Sequence, residues 1–205
     1  MQIKTVGMTV LVLSMAAILP ATARAGAPTE QIRQTVDKVL MIARDPQLKA
    51  AAQQNERRDQ LRQVISARFD FAEMAKRSLG PHWQRQSVDE QDQFVSLFTG
   101  VLEKSYADQI EAYDGEKIFY GRETGDQDHA EVETKLVTNT GENFSINYKL
   151  RVVNGDWKVY DVVIENISLV NNFRAQFNRV LASASFAELL KKLQSKSPEI
   201  RAARS

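Results

Sequence analysis

Few side chains in this sequence have the types and spacing that acid–base or metal chemistry needs. The two histidines, His82 and His129, have no second histidine or cysteine at ligand spacing, and the chain contains no cysteine at all. We therefore expect no metal site, no disulfide and no thiolate chemistry. Glycine-rich phosphate loops and the GxSxG nucleophile motif are also missing. The sequence predicts neither a cofactor nor a catalytic centre of these kinds.

Asp161 is the acid best placed for catalysis, because it lies between Tyr160 and Val162 in an apolar segment. A buried carboxylate there would suit a general base. The alternative is a structural carboxylate that pairs with an arginine or hydrogen-bonds to a neighbouring loop. We prefer this alternative, because a lone carboxylate specifies no reaction. Asp70, between two phenylalanines, is interpreted in the same way as a helix cap.

The first half of the sequence is predicted to be helical, because its apolar residues recur every three or four positions. Ser87 and Glu90 form a capping box at the start of the longest helix, and Asp70 is placed to cap a shorter one. The predicted helices cover 28–44, 47–67, 71–79 and a long stretch that begins at Ser87 and ends at Asp114-Gly115.

After Lys117 the period changes to two, which is typical of strands with one apolar face. The predicted strands are 117–123, 129–138, 143–153 and 156–165. Asn154-Gly155 indicates a tight hairpin turn, so the strands form an antiparallel meander. Strict alternation puts Trp157, Val159 and Val163 on one face of the fourth strand, and Tyr160, Val162 and Ile164 on the other.

Two more helices are predicted at 167–182 and 185–194, the first capped by Ser168 and the second opened by a Ser185–Glu188 capping box. The order of elements predicts an α+β fold. In it, N-terminal and C-terminal helices wrap a curved four-stranded antiparallel sheet.

The N-terminus has the pattern of a secretory signal peptide at residues 1–25, with a basic start, a short apolar run and an Ala23-Arg24-Ala25 cleavage site. A membrane anchor is the alternative, but the apolar run is shorter than the ~20 residues that span a bilayer. We expect an exported, soluble protein with one domain at 26–195 and a basic, frayed tail at 196–205.

Charge gives no support for nucleic-acid binding. The full chain has 27 basic and 26 acidic residues. Removal of Lys4 and Arg24 with the signal leaves 25 basic residues, so the mature net charge is near −1. A nucleic-acid-binding surface usually needs a basic excess.

Large apolar side chains are in surplus on facing elements. These side chains either fill a core or line a cavity for a ligand. Periodicity alone does not show which of the two they do. On the helices they are Phe71, Phe94, Phe98, Leu102, Tyr106, Phe173 and Phe177, and on the sheet Tyr148, Leu150, Tyr160, Val162 and Ile164.

Three separated motifs carry a family resemblance over residues 28–195. They are FDFAEMAKRSLGPHW, SVDEQDQFVSLFTGVLEKSYADQIEAY and WKVYDVVIENISLVNNFRAQF. In this order they resemble the MlaC family of periplasmic phospholipid-binding proteins, also called toluene-tolerance auxiliary proteins.

The sequence departs from the family pattern at Asn166, where the family often has glycine, and at 182–185, where a glycine before the last helix is missing. Asparagine can adopt the left-handed conformation, so the turn at Asn166 is expected to persist.

The resemblance implies an NTF2/cystatin-like fold around an apolar pocket. The pocket would hold the acyl chains of a phospholipid as cargo while the headgroup stays in solvent. It also implies a monomeric carrier, not an enzyme, that shuttles lipid between an outer-membrane lipoprotein/porin complex and an inner-membrane ABC transporter complex, and so maintains outer-membrane lipid asymmetry. The expected lipid-binding residues are Phe71, Leu79, Phe98, Leu102, Tyr106, Tyr148, Leu150, Tyr160, Val162, Ile164, Leu169 and Phe173.

Two alternatives remain open at this point. An NTF2-like sheet can host an isomerase or dehydratase, with Asp161 as its base. An interaction protein without a ligand would instead have the aromatic stripes packed as solid core.

Overall fold

A computed structural model describes residues 27–111 and 115–196, without the side chains of residue 51, residues 106–109 and residue 111. The predicted signal peptide and nearly all of the predicted tail lie outside these residues. The helices are α1 (Pro28–Arg44), α2 (Gln54–Arg68), α3 (Phe71–Leu79), α4 (Val88–Glu111), α5 (Leu169–Leu181) and α6 (Phe186–Lys196). The strands are β1 (Lys117–Gly125), β2 (His129–Val137), β3 (Asn143–Val153), β4 (Asp156–Ile164) and β5 (Ile167–Ser168). The predicted α+β class is confirmed.

Helix α2 begins later than the sequence pattern predicts, at Gln54 instead of residue 47. The Asp45 carboxylate accepts a hydrogen bond from the Gln47 backbone N–H at 2.8 Å. Such local bonding offers the backbone an alternative to the helix. A turn and a short 3-10 segment, Ala51–Gln53, therefore separate α1 from α2.

Both predicted capping boxes form. The Ser87 backbone N–H donates to the Glu90 carboxylate at 2.9 Å, and the Glu90 N–H donates to the Ser87 hydroxyl at 3.3 Å. The same reciprocal pair joins Ser185 and Glu188 at 3.0 and 3.3 Å. These bonds satisfy backbone donors that a helix start leaves unpaired.

The five strands form one curved antiparallel sheet in the order β1-β2-β3-β4-β5. The four predicted strands are present, and the two-residue β5 is an addition that the sequence pattern did not predict. Glu165 and Asn166 connect β4 to β5 with φ of +47° and +64°. Both are therefore left-handed, and the turn expected at Asn166 is confirmed.

A β-bulge in β4 corrects the predicted faces of this strand. Lys149 pairs with Asp161, but the next residue, Leu150, pairs with Val159, so Tyr160 is left without a partner in the ladder. One extra residue reverses the alternation beyond it. Trp157 and Val159 consequently share a face with Val162 and Ile164, and Tyr160 does not.

The buried apolar residues form two clusters. The inner-face core lies between α1 and one face of the sheet, which we call the inner face. The helical core is formed by α3, α4, α5 and α6. None of the helices in 27–111 and 115–196 is both long enough and apolar enough to cross a bilayer.

Candidate functional site

The inner face of the sheet is built from apolar residues that pair across the strands. Because partners in an antiparallel ladder point to the same side, the register arranges them in rows. From one end of the face to the other, the rows are Ala130–Leu150–Val159, Val132–Tyr148–Val162, Tyr120–Thr134–Ile146–Ile164 and Ile118–Leu136–Phe144.

Helix α1 covers only one end of this face. Ile32 of α1 packs there, and Val132, Leu150 and Val159 are fully buried. At the other end the side chains are half-buried or exposed: Phe144 is 39% exposed and Ile167 is 59% exposed. We call this region the open end, and it consists of Ile118, Leu136, Phe144, Ile146, Ile164 and Ile167. An apolar surface that continues from a packed core into solvent can bind an apolar ligand.

Two residues of α1, Thr29 and Arg33, attach this helix to the edge strand β1. The Thr29 backbone N–H and hydroxyl donate to the Glu123 carboxylate at 2.8 and 2.5 Å. The Arg33 guanidinium lies over the Tyr120 ring, 4.2 Å from its centroid. These contacts hold the first turns of α1 over β1 and help to keep one end of the inner face covered.

Tyr148 lies deep in the inner face. Burial raises the pKa of its hydroxyl to about 12, and an interaction with the Thr134 hydroxyl opposes this rise. Yet the Tyr148 side chain is only half-buried by accessible area. Tyr148 is therefore surrounded by protein but keeps part of its side chain exposed.

The structure divides the predicted lipid-binding residues between the two cores. On the inner face lie Tyr148, Leu150, Val162, Ile164 and Leu169. In or against the helical core lie Phe71, Leu79, Phe98, Leu102 and Phe173. The side chain of Tyr106 is outside the described part of the chain. The twelve residues therefore do not line one continuous surface in this conformation, and their contact with lipid stays a prediction.

The helical core is filled by aromatic rings. Phe98 is fully buried, and its ring meets that of Phe173 edge to face at 5.2 Å. Phe94 is also fully buried and contacts Phe177 at 5.4 Å in the same geometry. Edge-to-face contacts at this distance are favourable, so these rings stabilise one another. Both clusters include partly exposed residues of the predicted site, but the inner-face core continues into the exposed side chains of Phe144 and Ile167.

Phe173 also lines a groove of about 490 Å³ between α4, α5 and α6. Val101 also lines this groove, together with the polar or charged residues Lys104, Gln176 and Lys196. Because these charged and polar groups prefer water, the groove suits acyl chains less well than the open end does.

Tyr160 lies on the outer face of the sheet, where the bulge directs it. The Arg77 guanidinium stacks on its ring at 4.2 Å from the centroid, and the His129 ring approaches it edge on at 6.3 Å. Arg77 is itself paired with Glu73 at 2.7 Å. The predicted position of Tyr160 beside Val162 and Ile164 is therefore wrong.

Asp161 is a fully engaged structural carboxylate, as the preferred interpretation of the sequence proposed. It is 5% exposed and accepts hydrogen bonds from the Ser168 hydroxyl at 2.6 Å and the Val170 backbone N–H at 3.1 Å. Ser168 in turn caps α5 by accepting from the Asn171 N–H at 3.0 Å. The carboxylate thus holds the start of α5.

Asp70 has a similar role at the start of α3. It accepts a hydrogen bond from the Glu73 backbone N–H at 2.9 Å, as predicted for a helix cap. It also accepts two hydrogen bonds from the Arg151 guanidinium at 2.8 and 2.9 Å, which join α3 to β3. In the described part of the chain, histidines and acids form no cluster of three or more that could hold a metal ion.

Part of the open end was missing from the predicted site. Ile118, Leu136 and Ile167 were not singled out by the sequence pattern. Phe144 and Ile146 were recognised only as the apolar face of the third strand. Their alternation with Ser145 and Asn147 was the available signal, but it could not show that α1 stops short of them.

Comparison with known proteins identifies the family. The family model described as MlaC protein matches residues 33–195. The intermembrane phospholipid transport system binding protein MlaC of Haemophilus influenzae is 23% identical over 172 residues, which cover 82% of this chain and 80% of that protein. The toluene tolerance protein ttg2D of Pseudomonas putida is 24% identical over 169 residues, with 82% and 79% covered.

A solved structure shares the fold. The phospholipid-binding protein from Ralstonia solanacearum, solved in complex with a phospholipid, superposes with a TM-score of 0.73 at 22% identity. The match covers 84% of this chain and 98% of that one. Because the family model spans most of the sequence and this structure shares its fold, the chain belongs to the MlaC family.

Proposed function

We propose that this protein is a periplasmic phospholipid carrier that holds the acyl chains of its cargo on the open end of the inner face. The observation that carries the proposal is the continuous apolar surface from Tyr148 to Phe144, which α1 leaves uncovered. Membership of the MlaC family supports phospholipid as the ligand class, because relatives are named for phospholipid transport and binding.

The energetics of acyl chains favour a carrier that hands lipid directly to a partner. Burial of each CH₂ stabilises by about 0.8 kcal/mol. Two full chains would exceed the practical limit of non-covalent affinity, roughly 20 kcal/mol, if water were the only competitor. Spontaneous release into water is therefore very slow. The partners that we propose are an outer-membrane lipoprotein/porin complex and an inner-membrane ABC transporter complex, with lipid asymmetry of the outer membrane as the outcome.

Within this proposal Tyr148 and Ile164, the half-buried inner-face residues of the predicted site, contact lipid in the present conformation. Leu150, Val162 and Leu169 are buried and would contact lipid only after a rearrangement. The five predicted residues of the helical core would contact lipid only if that core opened. The headgroup would remain outside the open end, so we expect weak selectivity between headgroups.

A matched pair of phenylalanines tests the proposed surface. Phe144 and Phe119 are both exposed strand residues, at 39% and 53%, but they lie on opposite faces of the sheet. We expect Phe144→Asp to lower the lipid-bound fraction about tenfold, because acyl chains would remove water from the new carboxylate. Phe119→Asp should retain the wild-type fraction. Native mass spectrometry of protein purified from the periplasm without detergent measures both.

The proposal is contradicted if the two variants carry the same amount of lipid. Thermal unfolding of both variants checks that the substitutions leave the fold intact. If neither variant nor the wild-type protein carries lipid, the aromatic stripes act as packed core and the alternative of an interaction protein gains support.

A further inference from the structure

Tyr120 has a buried hydroxyl that is unsatisfied within the described part of the chain, where no group forms a hydrogen bond with it. Buried hydroxyls in folded proteins nearly always have a partner, because an unpaired one is costly. Tyr120 lies on β1 with its side chain against the inner-face core. A ligand that enters this face with a hydrogen-bond acceptor at the right depth would satisfy the hydroxyl.

The neighbouring hydroxyls are already engaged. Thr134 pairs with Tyr120 across the strands, and its hydroxyl donates to the Ile146 carbonyl at 2.7 Å. The Tyr148 hydroxyl interacts with Thr134. Of the Tyr120, Thr134 and Tyr148 hydroxyls, that of Tyr120 is therefore the one without a hydrogen-bond partner.

The Tyr120 hydroxyl is a neutral hydrogen-bond donor, and the Tyr120 ring is held in place. Burial, as the largest cause, raises its pKa to about 12, so the proton stays bound at physiological pH. The Arg33 guanidinium stacks on the ring and limits its motion. A neutral, oriented O–H group suits a carbonyl acceptor.

Tyr120 lies next to the surface that we propose for the acyl chains. Its row, with Thr134 and Ile146, lies one row inside the exposed row that contains Phe144. Two residues along a strand correspond to about 7 Å. The two ester carbonyls are the acceptors joined directly to the acyl chains of a phospholipid, so they accompany chains that bind on the open end.

We propose that Tyr120 donates a hydrogen bond to an ester carbonyl of the bound lipid and so makes diacyl glycerophospholipids the preferred cargo over their ether-linked analogues. This inference rests on the proposed function and on the same surface. It makes Tyr120 a specificity-determining residue, whereas the surrounding apolar side chains do not distinguish ester from ether linkages.

The test is a competition between two lipids that differ only in the linkage. Wild-type protein, stripped of lipid, is incubated with vesicles that contain equal amounts of diester and diether phosphatidylglycerol with chains of the same length. Native mass spectrometry then gives the ratio of the two complexes. We expect a diester preference of about threefold to tenfold, which corresponds to one net neutral hydrogen bond.

Two variants test whether the preference for diester lipid depends on the Tyr120 hydroxyl. Tyr120→Phe should bind both lipids with a ratio near one and should load diether lipid as well as the wild-type protein does. Tyr160→Phe, which removes a hydroxyl on the outer face, should keep the wild-type ratio.

An equal ratio in the wild-type protein, or a preference that survives in Tyr120→Phe, would overturn the inference and leave the carrier function standing. Failure of the wild-type protein to load either lipid would instead contradict the proposed function itself.

Discussion

At the scale of single residues, Asp161 links the sheet to the helices. The bulge at Tyr160 places the Asp161 carboxylate where it accepts hydrogen bonds from Ser168 and Val170, at the junction of β5 and α5. Hydrogen bonds to a buried carboxylate stabilise the fold, and a donor that loses this acceptor is left unsatisfied at a cost. Asp161 is thus positioned to fix where α5 starts.

Removal of the Asp161 carboxylate should destabilise the protein without affecting cargo. We expect Asp161→Ala to lower the free energy of unfolding by about 1–3 kcal/mol, because the Val170 N–H and the Ser168 hydroxyl lose their acceptor. Urea unfolding measures the change. Asp156→Ala, which removes an exposed carboxylate from the same strand, is the control and should change stability by less than about 0.5 kcal/mol.

The lipid content of folded Asp161→Ala protein decides between the two interpretations of this acid. Lipid content equal to that of the wild-type protein supports the structural role. Loss of lipid at unchanged stability would place Asp161 in the functional site and revive the enzyme alternative.

The bulge marks a limit of prediction from the sequence. The segment from Trp157 to Ile164 is apolar on both faces, so alternation fits with or without an extra residue. The bulge is accompanied by contacts with distant residues, such as the stacking of Arg77 on Tyr160. Because those contacts come from another element, a local pattern could not reveal the change of face.

At the scale of elements, α3 to α6 form a filled core beside the sheet. Four phenylalanine rings from α4 and α5 pack with centroid separations between 5.2 and 6.0 Å, and two of them, Phe94 and Phe98, have no exposed surface. This packing fills the space between α4 and α5, whereas the inner face continues into the exposed side chains of Phe144 and Ile167.

Truncation of Phe98 tests whether the helical core is solid. We expect Phe98→Ala to lower the free energy of unfolding by about 3–5 kcal/mol, because a fully buried ring leaves a cavity. Ile146→Ala, at the half-buried open end, should cost only about 1 kcal/mol. Urea unfolding of lipid-free protein gives both values. A cost for Phe98→Ala no larger than that for Ile146→Ala would show that the helical core is loosely packed and able to accept cargo.

Local signals predicted the elements well. The capping boxes at Ser87 and Ser185 depend on side chains three residues apart, so the sequence contains all of their information. The aromatic stripe of α4 was predicted as well, but the elements against which it packs were not. A helix with one apolar face can pack on a sheet or on other helices, and periodicity is the same in both cases.

At the scale of the whole molecule, the two cores meet along β4. The backbone N–H of Asp70 donates to the Val159 carbonyl at 2.8 Å, and Phe69 forms a parallel bridge with Val159. On the outer face, Arg151 of β3 binds Asp70 at the start of α3. The helical core is thus fastened to one edge of the sheet, while α1 covers only part of the inner face.

This architecture explains why the family could be predicted but the site only in part. Three motifs in order indicate the MlaC family, because each spans one or more whole elements of the chain. The location of open space depends on where α1 ends relative to the strands, which is a property of the assembled molecule. The predicted site consequently included the inner face but also residues that pack in the helical core.

The most direct test of the central claim is the mass of the protein as it is purified from cells. Native mass spectrometry of material purified without detergent, followed by lipid extraction, should show a mass excess that corresponds to about one phospholipid per chain. A clean lipid-free mass, together with no uptake from phospholipid vesicles and cooperative thermal unfolding, would contradict the claim that the inner face carries phospholipid.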